Sequence, residues 1–492
     1  MFIIQTAAEL APIAKVGGLG DVVYGLSKEL VRLGHRVEII LPKYDCLNYS
    51  YLKNLKKEID YLKISSGAIA IWSAEMEHLE IKLIEPLQGN DFFCRGKIYG
   101  FLDDIPRFLC LSESALTYIN TSKKKPDVIH VHDWHTALIP CLQKEKGLLK
   151  NSKSVLTLHS IAYQGKCDPD LLTSLGLKKA KIADPHSPHL ANLLKAGMVY
   201  ADAITTVSPT YEKEIKSQEG GCGLDKIVIE HSLKLKGILN GIDPEFWNPE
   251  KDPLLFQPYP SKPPIDAILK GKESNREHLR ARAGLLQSDQ PLVACVTRLV
   301  PQKGPDLIKY ALYRTLQKGG QFILLSDAGS PEILRDFQEI KMKLSSNKNL
   351  SICFDHDEPL AHLIFAGADM LIVPSLFEPC GLTQLLAMRY GTVPVVRKTG
   401  GLADTVFDID TSDQLIDKRN GFTFDFPDSA GINWALDRAL HCYAQDKKKW
   451  HSLINHGMLS DFSWHQSVQE YLKIYQQKNL FTEITHYLRR FF

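Results

Sequence analysis

The sequence predicts an α/β protein in which two doubly wound domains face a central cleft. Three observations support this prediction. The chain has 492 residues, about three times the ~150 residues expected of one domain. Strand patterns alternate with helix patterns along both halves, as parallel sheets with crossover helices require. Between the halves, residues 244–264 hold seven prolines and show no periodicity, so we expect a connector there.

The first half opens with a strand–helix–strand unit. An extended stretch leads to a glycine-rich loop at 15–21, and apolar residues then recur every three or four positions from Val22 to Leu33. Gly34 ends this helix, and residues 36–41 form the next strand. We assign residues 1–243 to the first domain, with later strands at 81–84, 128–131, 155–158 and 203–207.

The second half repeats this organisation. A buried strand at 292–297 precedes a loop with Arg298 and Lys303, and Pro305 and Asp306 then suit the first turn of a helix. We assign residues 265–460 to the second domain, with strands at 322–325, 352–354, 370–373 and 393–396 and helices at 360–367 and 382–389. An amphipathic helix is predicted in the tail, residues 461–492.

Composition and charge exclude several classes of protein. Hydrophobic residues make up 44% and charged residues 24%, and the net charge is 59 − 57 = +2, which argues against a nucleic-acid or polybasic membrane protein. No apolar run approaches the ~20 residues of a membrane span, and no signal peptide is expected. Ten cysteines without a C-x-x-C pair indicate reduced thiols and a cytoplasmic location.

The glycine-rich loop is a candidate phosphate site. Gly17–Gly20 follows a strand and opens a helix, where backbone N–H groups can bind an anion, and Lys15 can reach a second phosphate oxygen. Val23 stands at the third glycine position of G-x-G-x-x-G, so this is not the dinucleotide-binding pattern. The alternative is a plain turn with Asp21 as a first-turn acid.

Histidines cluster at the end of one predicted strand. Three histidines and Asp133 within residues 130–135 suggest a metal site. Their order differs from H-x-H-x-D-H, so we expect no metal and interpret the segment as a polar strand end with Asp133 and Trp134 at the cleft. A structural role is the preferred interpretation of His130. His159 follows another strand and could equally be a core histidine.

Charged residues flank two loops of the second half. Arg298 and Lys303 suit a diphosphate, although two solvated surface cations are the alternative. Glu378 could accept sugar hydroxyls, and the amides of 381–383 open a helix. A nucleophilic role for Cys380 is disfavoured because no His–Asn pair accompanies it.

Together, and in this order, these segments resemble bacterial glycogen synthases and plant-type starch synthases. The resemblance implies a GT-B fold of two Rossmann-like domains, with 1–243 on the acceptor-glucan side, 265–460 on the nucleotide-sugar side and the helix 461–492 returning to the first domain. The matching segments are 15–21, 132–135, 159–165, 207–211, 240–243, 247–249, Arg298 with 302–304, 374–384, 389–391, 396–406 and 462–464.

The resemblance also implies the reaction, its partners and its residues. Glucose passes from a nucleotide sugar, ADP-glucose by family default, to the non-reducing 4-hydroxyl of an α-1,4-glucan with retention, without metal or other cofactor, nucleic acid or membrane. The implied diphosphate contacts are Lys15, Gly18, Arg298, Lys303 and the amides of Leu382 and Thr383. The implied glucose pocket is Asp133, His159, Asn240, Glu378, Cys380 and Gly381, with Asp21 and His356 as further donor contacts. Glu9, Tyr99 and Trp134 are implied at the acceptor. The catalytic set is Lys15, Asp133, His159, Arg298, Lys303 and Glu378.

Three positions depart from the family pattern. Ser160 replaces an asparagine, Lys226 replaces a glycine, and His356 stands where an aromatic residue usually stacks on the base. UDP-glucose therefore stays open as the donor. A glucan-binding protein without transfer activity is the alternative from another class, although the diphosphate residues are all present.

Overall fold

The computed structural model describes residues 1–87, 91–177, 182–326, 329–355 and 357–477. The chain divides into two compact units, one of Met1–Gly241 with the segment from Trp464 onward, the other of Ile242–Ser463. Residues 244–264, expected as a connector, therefore pack within the second unit. The predicted tail helix is described only as far as residue 477, and His356 and residues 478–492 lie outside the described residues.

Strands run through both units. They are β1 (Phe2–Thr6), β2 (Arg36–Pro42), β3 (Lys53–Ile64), β4 (Gly67–Met76), β5 (Leu79–Pro86), β6 (Val128–His132), β7 (Lys153–Leu158), β8 (Lys166–Cys167), β9 (Ala191–Asn192), β10 (Ala203–Thr206), β11 (Leu235–Gly237), β12 (Leu292–Val296), β13 (Gln321–Leu325), β14 (Leu350–Cys353), β15 (Met370–Val373), β16 (Val393–Arg397) and β17 (Phe422–Phe424).

Helices alternate with these strands. They are α1 (Gly18–Arg32), α2 (Asp104–Thr121), α3 (Asp133–Thr136), α4 (Leu138–Glu145), α5 (Asp170–Thr173), α6 (Leu193–Tyr200), α7 (Pro209–Glu214), α8 (Asp225–Glu230), α9 (Ile265–Ala283), α10 (Pro305–Gln317), α11 (Pro331–Lys343), α12 (Glu358–Gly367), α13 (Thr383–Arg389), α14 (Gly400–Thr405), α15 (Ser429–Gln445), α16 (Lys447–Leu459) and α17 (Trp464–Gln476).

The first unit is built on one large sheet, in the order β11-β10-β7-β6-β1-β2-β5-β4-β3. β1 pairs in parallel with β2 on one side and β6 on the other. β1 and β6 are buried along their whole length, as expected of parallel strands covered on both faces. The strand order reverses between β6 and β1. In doubly wound sheets, ligands bind at the carboxyl ends of the strands at such a reversal.

One part of this sheet differs from the prediction of parallel strands alone. β4 pairs antiparallel with both β3 and β5. β3 is a charged strand at the sheet edge and is exposed over most of its length, so it lacks the alternating apolar pattern that marks a half-buried strand. β3 was not predicted for that reason, and β4, a largely buried strand, was not predicted either.

The second unit has a parallel sheet in the order β14-β13-β12-β15-β16-β17. Numbered within the unit, this is the doubly wound order 3-2-1-4-5-6, and its reversal lies between β12 and β15. α10 begins as predicted, with Pro305 in its first turn and Asp306 as the acid there. The fold prediction is therefore confirmed in class, and in this unit also in the parallel pairing of its strands and in the position of α10.

Candidate active site

In the second unit, two loops meet at the carboxyl edge of the sheet where the strand order reverses. One follows β12 and the other follows β15, and these strands are parallel neighbours. The Leu376 amide donates to the Gln302 carbonyl oxygen at 2.8 Å, and Gln302 Nε2 donates to the Phe377 carbonyl oxygen at 3.1 Å. These bonds fix the loop with Lys303 beside the loop with Glu378.

The charged groups of these loops form an ion pair whose carboxylate is buried and whose lysine is partly exposed. Lys303 Nζ lies 2.5 Å from Glu378 Oε2, and Ser375 Oγ donates to the same oxygen at 2.7 Å. Glu378 is only 6% exposed. The sequence predicts separate contacts for Lys303 and Glu378, whereas the structure places them in one ion pair. A change at either residue therefore alters the surroundings of the other.

Arg298 differs from Lys303 in its surroundings. It is exposed, and its guanidinium has no hydrogen-bond or ion-pair partner among the described residues. A planar fork of donors in that position can bind two oxygens of a phosphate without first breaking an internal contact.

Two glycines explain how the loops come so close. Gly304 has φ +65°, and a Cβ there would lie 2.4 Å from the Pro374 carbonyl oxygen. Gly400 has φ +44°, and its Cβ would lie 1.9 Å from the Glu378 carbonyl oxygen. Only glycine combines these backbone angles with such approaches.

The remaining predicted residues of this unit follow Glu378 directly. Cys380 is buried, and Gly381 takes φ +73° against the side chain of Gln384, whose buried Oε1 lacks a hydrogen-bond partner among the described residues. Leu382 precedes α13, which begins at Thr383. The structure therefore places these residues in one continuous turn beside the ion pair.

In the first unit, the predicted residues follow β1, β6 and β7. Glu9 is buried, and its Oε2 accepts hydrogen bonds from the amides of Val16 and Gly17 at 2.7 and 2.9 Å. These two amides are therefore already bonded within the protein, whereas Gly18, the predicted phosphate contact, is not one of them. α1 begins at Gly18, so the amides of its first turn have no partner within the helix.

The other groups of this loop are a cation and an acid near the surface. Lys15 Nζ lies 2.8 Å from Asp21 Oδ1, and both side chains are partly exposed. An incoming phosphate can compete for the ammonium group because an ion pair exposed to water is weak.

Glu9 also holds the loop that carries Tyr99. The Tyr99 hydroxyl donates to Glu9 Oε1 at 2.9 Å, so the carboxylate has protein partners on both oxygens. Arg107 is fully buried beneath the same loop, where its guanidinium donates to the carbonyl oxygens of Phe92 and Ile98. Glu9 therefore joins two loops, and its contact with an acceptor stays a prediction.

Asp133 and His159 are neighbours. Asp133 Oδ1 accepts hydrogen bonds from the amides of His159 at 2.7 Å and Ser160 at 3.3 Å. Burial raises the pKa of Asp133 to about 7, and burial lowers the pKa of His159 to about 3. Asp133 also has φ +53°, an unusual angle for a residue other than glycine. Strained backbone of this kind persists where the surroundings fix it, often at functional sites.

The histidines of β6 are buried and paired with polar side chains. His130 Nδ1 lies 2.8 Å from the Tyr475 hydroxyl, and His130 Nε2 lies 2.6 Å from Thr157 Oγ1. His132 contacts Gln5 and His159. Among the described residues, no group of three or more His, Cys, Asp and Glu side chains could hold a metal ion.

Burial of these histidines should make the protein acid-sensitive. Burial lowers the pKa values of His130, His135 and His159 to about 3 and that of His132 well below 6.5. Between pH 6.5 and 3 the unfolded chain therefore binds more protons at these sites, and each site lowers the free energy of unfolding by up to ~1.4 kcal/mol per pH unit of acidification. Asp133 has the opposite effect on the free energy of unfolding. Between pH 7 and 3.8 its carboxyl group binds up to one more proton in the folded protein than in the unfolded chain.

The measurement is denaturant unfolding between pH 6.5 and 5. His135→Phe removes one titrating ring from a site lined by Tyr99 and Phe108. We expect the slope of unfolding free energy against pH to fall by about one proton in this variant. An unchanged slope would show that His135 is not held neutral.

An aromatic groove lies next to these residues. It has a volume of about 380 Å³ and is lined by Trp134, Ala162, Tyr163, Gln164, Gly165, Lys166 and Cys222. Gly165 has φ +62°, and a Cβ there would lie 2.4 Å from the Trp134 ring. Gln164 Nε2 donates to the Cys222 carbonyl oxygen at 2.9 Å and so joins two walls of the groove.

Asn240 carries a buried polar atom that suits a ligand. It is 6% exposed, and its Oδ1 has no hydrogen-bond partner among the described residues. An unsatisfied buried acceptor costs free energy that a bound hydroxyl would recover.

Several polar residues that hold other parts of the site in place are not predicted from the sequence. They are Ser375, Gln5, Gln164 and Arg107. Ser375 could have been found because it lies between β15 and Glu378. The others depend on contacts between segments distant in the chain, which no local pattern reveals.

Comparison with known proteins places the chain in a family. Residues 2–230 match the family described as "Starch synthase catalytic domain", and residues 277–457 match "Glycosyl transferases group 1". A glycogen synthase of Protochlamydia amoebophila is 46% identical over 97% of this chain and 99% of its own length. The chain belongs to the family of glycogen synthases and starch synthases.

Plant and structural relatives agree. A probable starch synthase 4 of Arabidopsis thaliana is 44% identical over 96% of this chain, which spans 47% of that protein. The solved catalytic domain of Starch Synthase IV from Arabidopsis thaliana, bound to ADP and acarbose, matches with a TM-score of 0.91 and 44% identity, covering 96% of this chain and 98% of that one. Sucrose-phosphate synthase from Thermosynechococcus elongatus, 17% identical with a TM-score of 0.61 over 97% of this chain and 99% of its own, shares the fold.

These similarities confirm the glycosyltransferase family and the GT-B fold that the sequence predicts. No helix in the described part of the chain is long and apolar enough to span a bilayer.

Proposed function

We propose that this glycosyltransferase moves glucose from ADP-glucose to the non-reducing 4-hydroxyl of an α-1,4-glucan with retention of configuration. The observation that carries the proposal is the exposed Arg298 guanidinium on the loop that also carries Lys303, which pairs with Glu378 at the ligand-binding edge of a doubly wound sheet. The similar Arabidopsis synthase was solved with ADP, which supports an adenine nucleotide here.

The cationic residues act on the leaving group. Departure of the nucleoside diphosphate leaves an oxocarbenium-like sugar and concentrates negative charge on the β-phosphate. Arg298 and Lys303 of the second unit stabilise that charge. In the first unit, Lys15 and the first turn of α1, beginning at Gly18, have donors of the kind that bind phosphate. Lys303 remains held by Glu378, which fixes its position for this role.

The sugar contacts come from both oxygen and nitrogen acceptors. In the second unit, Glu378 can accept a hydrogen bond from a sugar hydroxyl, with Cys380 and Gly381 beside it. In the first unit, the Asn240 amide oxygen can do the same. Asp133 holds the backbone at His159 through two hydrogen bonds, so the imidazole is fixed for a sugar contact. These contacts position the anomeric carbon for transfer.

The acceptor glucan is proposed to use the aromatic groove, with Trp134 as its stacking platform and Tyr99 nearby in the chain's first unit.

We expect Gly165→Ala to raise the KM for maltoheptaose by roughly tenfold, since its Cβ must displace the Trp134 ring and stacking of ~1.4 kcal/mol is lost. The KM for the donor should change little.

Gly176→Ala is the matched control for that substitution. Gly176 has φ +77°, yet a Cβ there would meet no atom within 4 Å. It shares the backbone strain without touching Trp134. An equal rise in acceptor KM in both variants would contradict the role of Trp134.

We also expect transfer without a divalent metal, because Arg298 and Lys303 supply positive charge at the diphosphate. Glucan extension should keep its rate in excess chelator. Loss of activity that one divalent metal restores would contradict this account.

The donor is tested by parallel titration with ADP-glucose and UDP-glucose, with glycogen present and glucan extension as the readout. We expect a higher kcat/KM with ADP-glucose. A preference for UDP-glucose would overturn the donor, and no extension with either would favour a glucan-binding protein. A cytoplasmic location stays a prediction from the sequence.

A further inference from the structure

A chain of buried polar groups runs through the first unit and ends at His159. Gln5 on β1 and His132 on β6 are both fully buried, whereas His159 is partly exposed. Gln5 Nε2 donates to Ser27 Oγ at 2.7 Å, and Gln5 Oε1 lies 2.9 Å from His132 Nε2. His132 Nδ1 in turn lies 3.0 Å from His159 Nε2.

In this series of hydrogen-bonded side chains, the donors and acceptors determine which ring nitrogens carry protons. Because an amide oxygen only accepts, His132 Nε2 must carry the proton in its contact with Gln5. A neutral imidazole has one proton, so His132 Nδ1 is an acceptor. His159 Nε2 must then carry the proton, and His159 Nδ1 bears a lone pair.

The surroundings keep these rings neutral. Burial lowers the pKa values of both histidines far below 6.5, so each ring holds one proton at neutral pH. The His130 ring packs against the His132 ring at a tilt of 32°, with ring centroids 4.4 Å apart, and the His130 nitrogens contact Tyr475 and Thr157. The His132 ring is thereby fixed in place without a competing hydrogen bond from His130.

We propose that Gln5 and His132 are positioning residues that hold His159 in the Nε2–H tautomer, so that its Nδ1 accepts a hydrogen bond from a hydroxyl of the transferred sugar. This deepens the proposed function, on which the sugar contact rests. The opposite tautomer would present an N–H donor, and a hydroxyl that must donate its proton would find no acceptor there.

The tautomer is measured directly in the full-length protein without ligand. Histidine rings labelled with ¹⁵N give distinct shifts for protonated and unprotonated nitrogens, and the signals lost in His159→Gln identify that ring. We expect Nδ1 of His159 to be unprotonated and Nε2 to be protonated. The reverse assignment in the wild-type protein would overturn the proposal, and this readout does not depend on activity.

Two substitutions at His132 separate positioning from packing. In His132→Asn, Oδ1 stands near the place of Nδ1 and can still accept from His159, whereas His132→Leu removes the acceptor. We expect a single His159 tautomer in the asparagine variant and a mixture in the leucine variant. A single tautomer in both would overturn the role of His132.

Donor analogues connect the tautomer to the sugar. With ADP-glucose lacking the 3-, 4- or 6-hydroxyl in turn, we expect one analogue to lose roughly tenfold in kcat/KM on the wild-type enzyme, the size of one hydrogen bond. That loss should shrink in His132→Leu and persist in His132→Asn. The tautomers could behave as predicted while His132 substitutions change no analogue's loss of kcat/KM. That result would overturn the sugar contact and the placement of His159 in the glucose pocket. Transfer activity itself is tested separately, by the donor titration.

Discussion

Replacing Arg298 with alanine should lower kcat by about 10²–10³ while leaving the protein as stable as wild type. The loss is that of one preorganised charge contact to the departing diphosphate. Stability should hold because the guanidinium is exposed and has no partner among the described residues. Steady-state transfer from ADP-glucose to glycogen, with thermal unfolding in parallel, measures both quantities.

Arg335→Ala is the matched control. Arg335 is an exposed arginine of α11 in the same unit, and its loss should leave kcat unchanged. Wild-type turnover in folded Arg298→Ala would show that the diphosphate binds elsewhere.

Removing the Lys303 charge should reduce both turnover and stability. Lys303→Met keeps the alkyl stem but leaves Glu378, only 6% exposed, without its cation. Breaking a buried ion pair costs about 3–5 kcal/mol, and the partly exposed Lys303 places this pair nearer 2–3 kcal/mol. The kcat should fall by about 10²–10³ in addition.

The double variant Lys303→Met, Glu378→Gln separates the two effects. A neutral amide beside methionine removes the stranded charge, so we expect much of the stability to return while turnover stays low. Recovery of turnover in the double variant would indicate that Lys303 acts only as the counter-ion of Glu378.

Much of this site follows from strand ends in the sequence. Arg298, Glu378, Asp133 and His159 each come shortly after a buried apolar run, and parallel strands bring such positions to one edge. The pattern therefore placed them at the carboxyl edges of their sheets, and each of them follows its strand as predicted.

Contacts between distant segments could not be predicted. The Lys303–Glu378 pair joins residues 75 positions apart, and nothing in either motif indicates that each is the partner of the other. Glu9 presents the same difficulty. Its place in the sequence gives no sign that the backbone amides of Val16 and Gly17 donate hydrogen bonds to its carboxylate. The charged edge strand β3 was missed because exposure removes the apolar alternation.

The central claim is retaining transfer of glucose to the 4-hydroxyl of a glucan, and product analysis tests it most directly. The protein is incubated with ADP-[¹³C]glucose and maltoheptaose, and the labelled product is examined by NMR. The account predicts labelled glucose at the non-reducing end in an α-1,4 linkage, formed about 10²–10³ times more slowly with Arg298→Ala. Label found only in free glucose, in a β linkage or at another hydroxyl would contradict it.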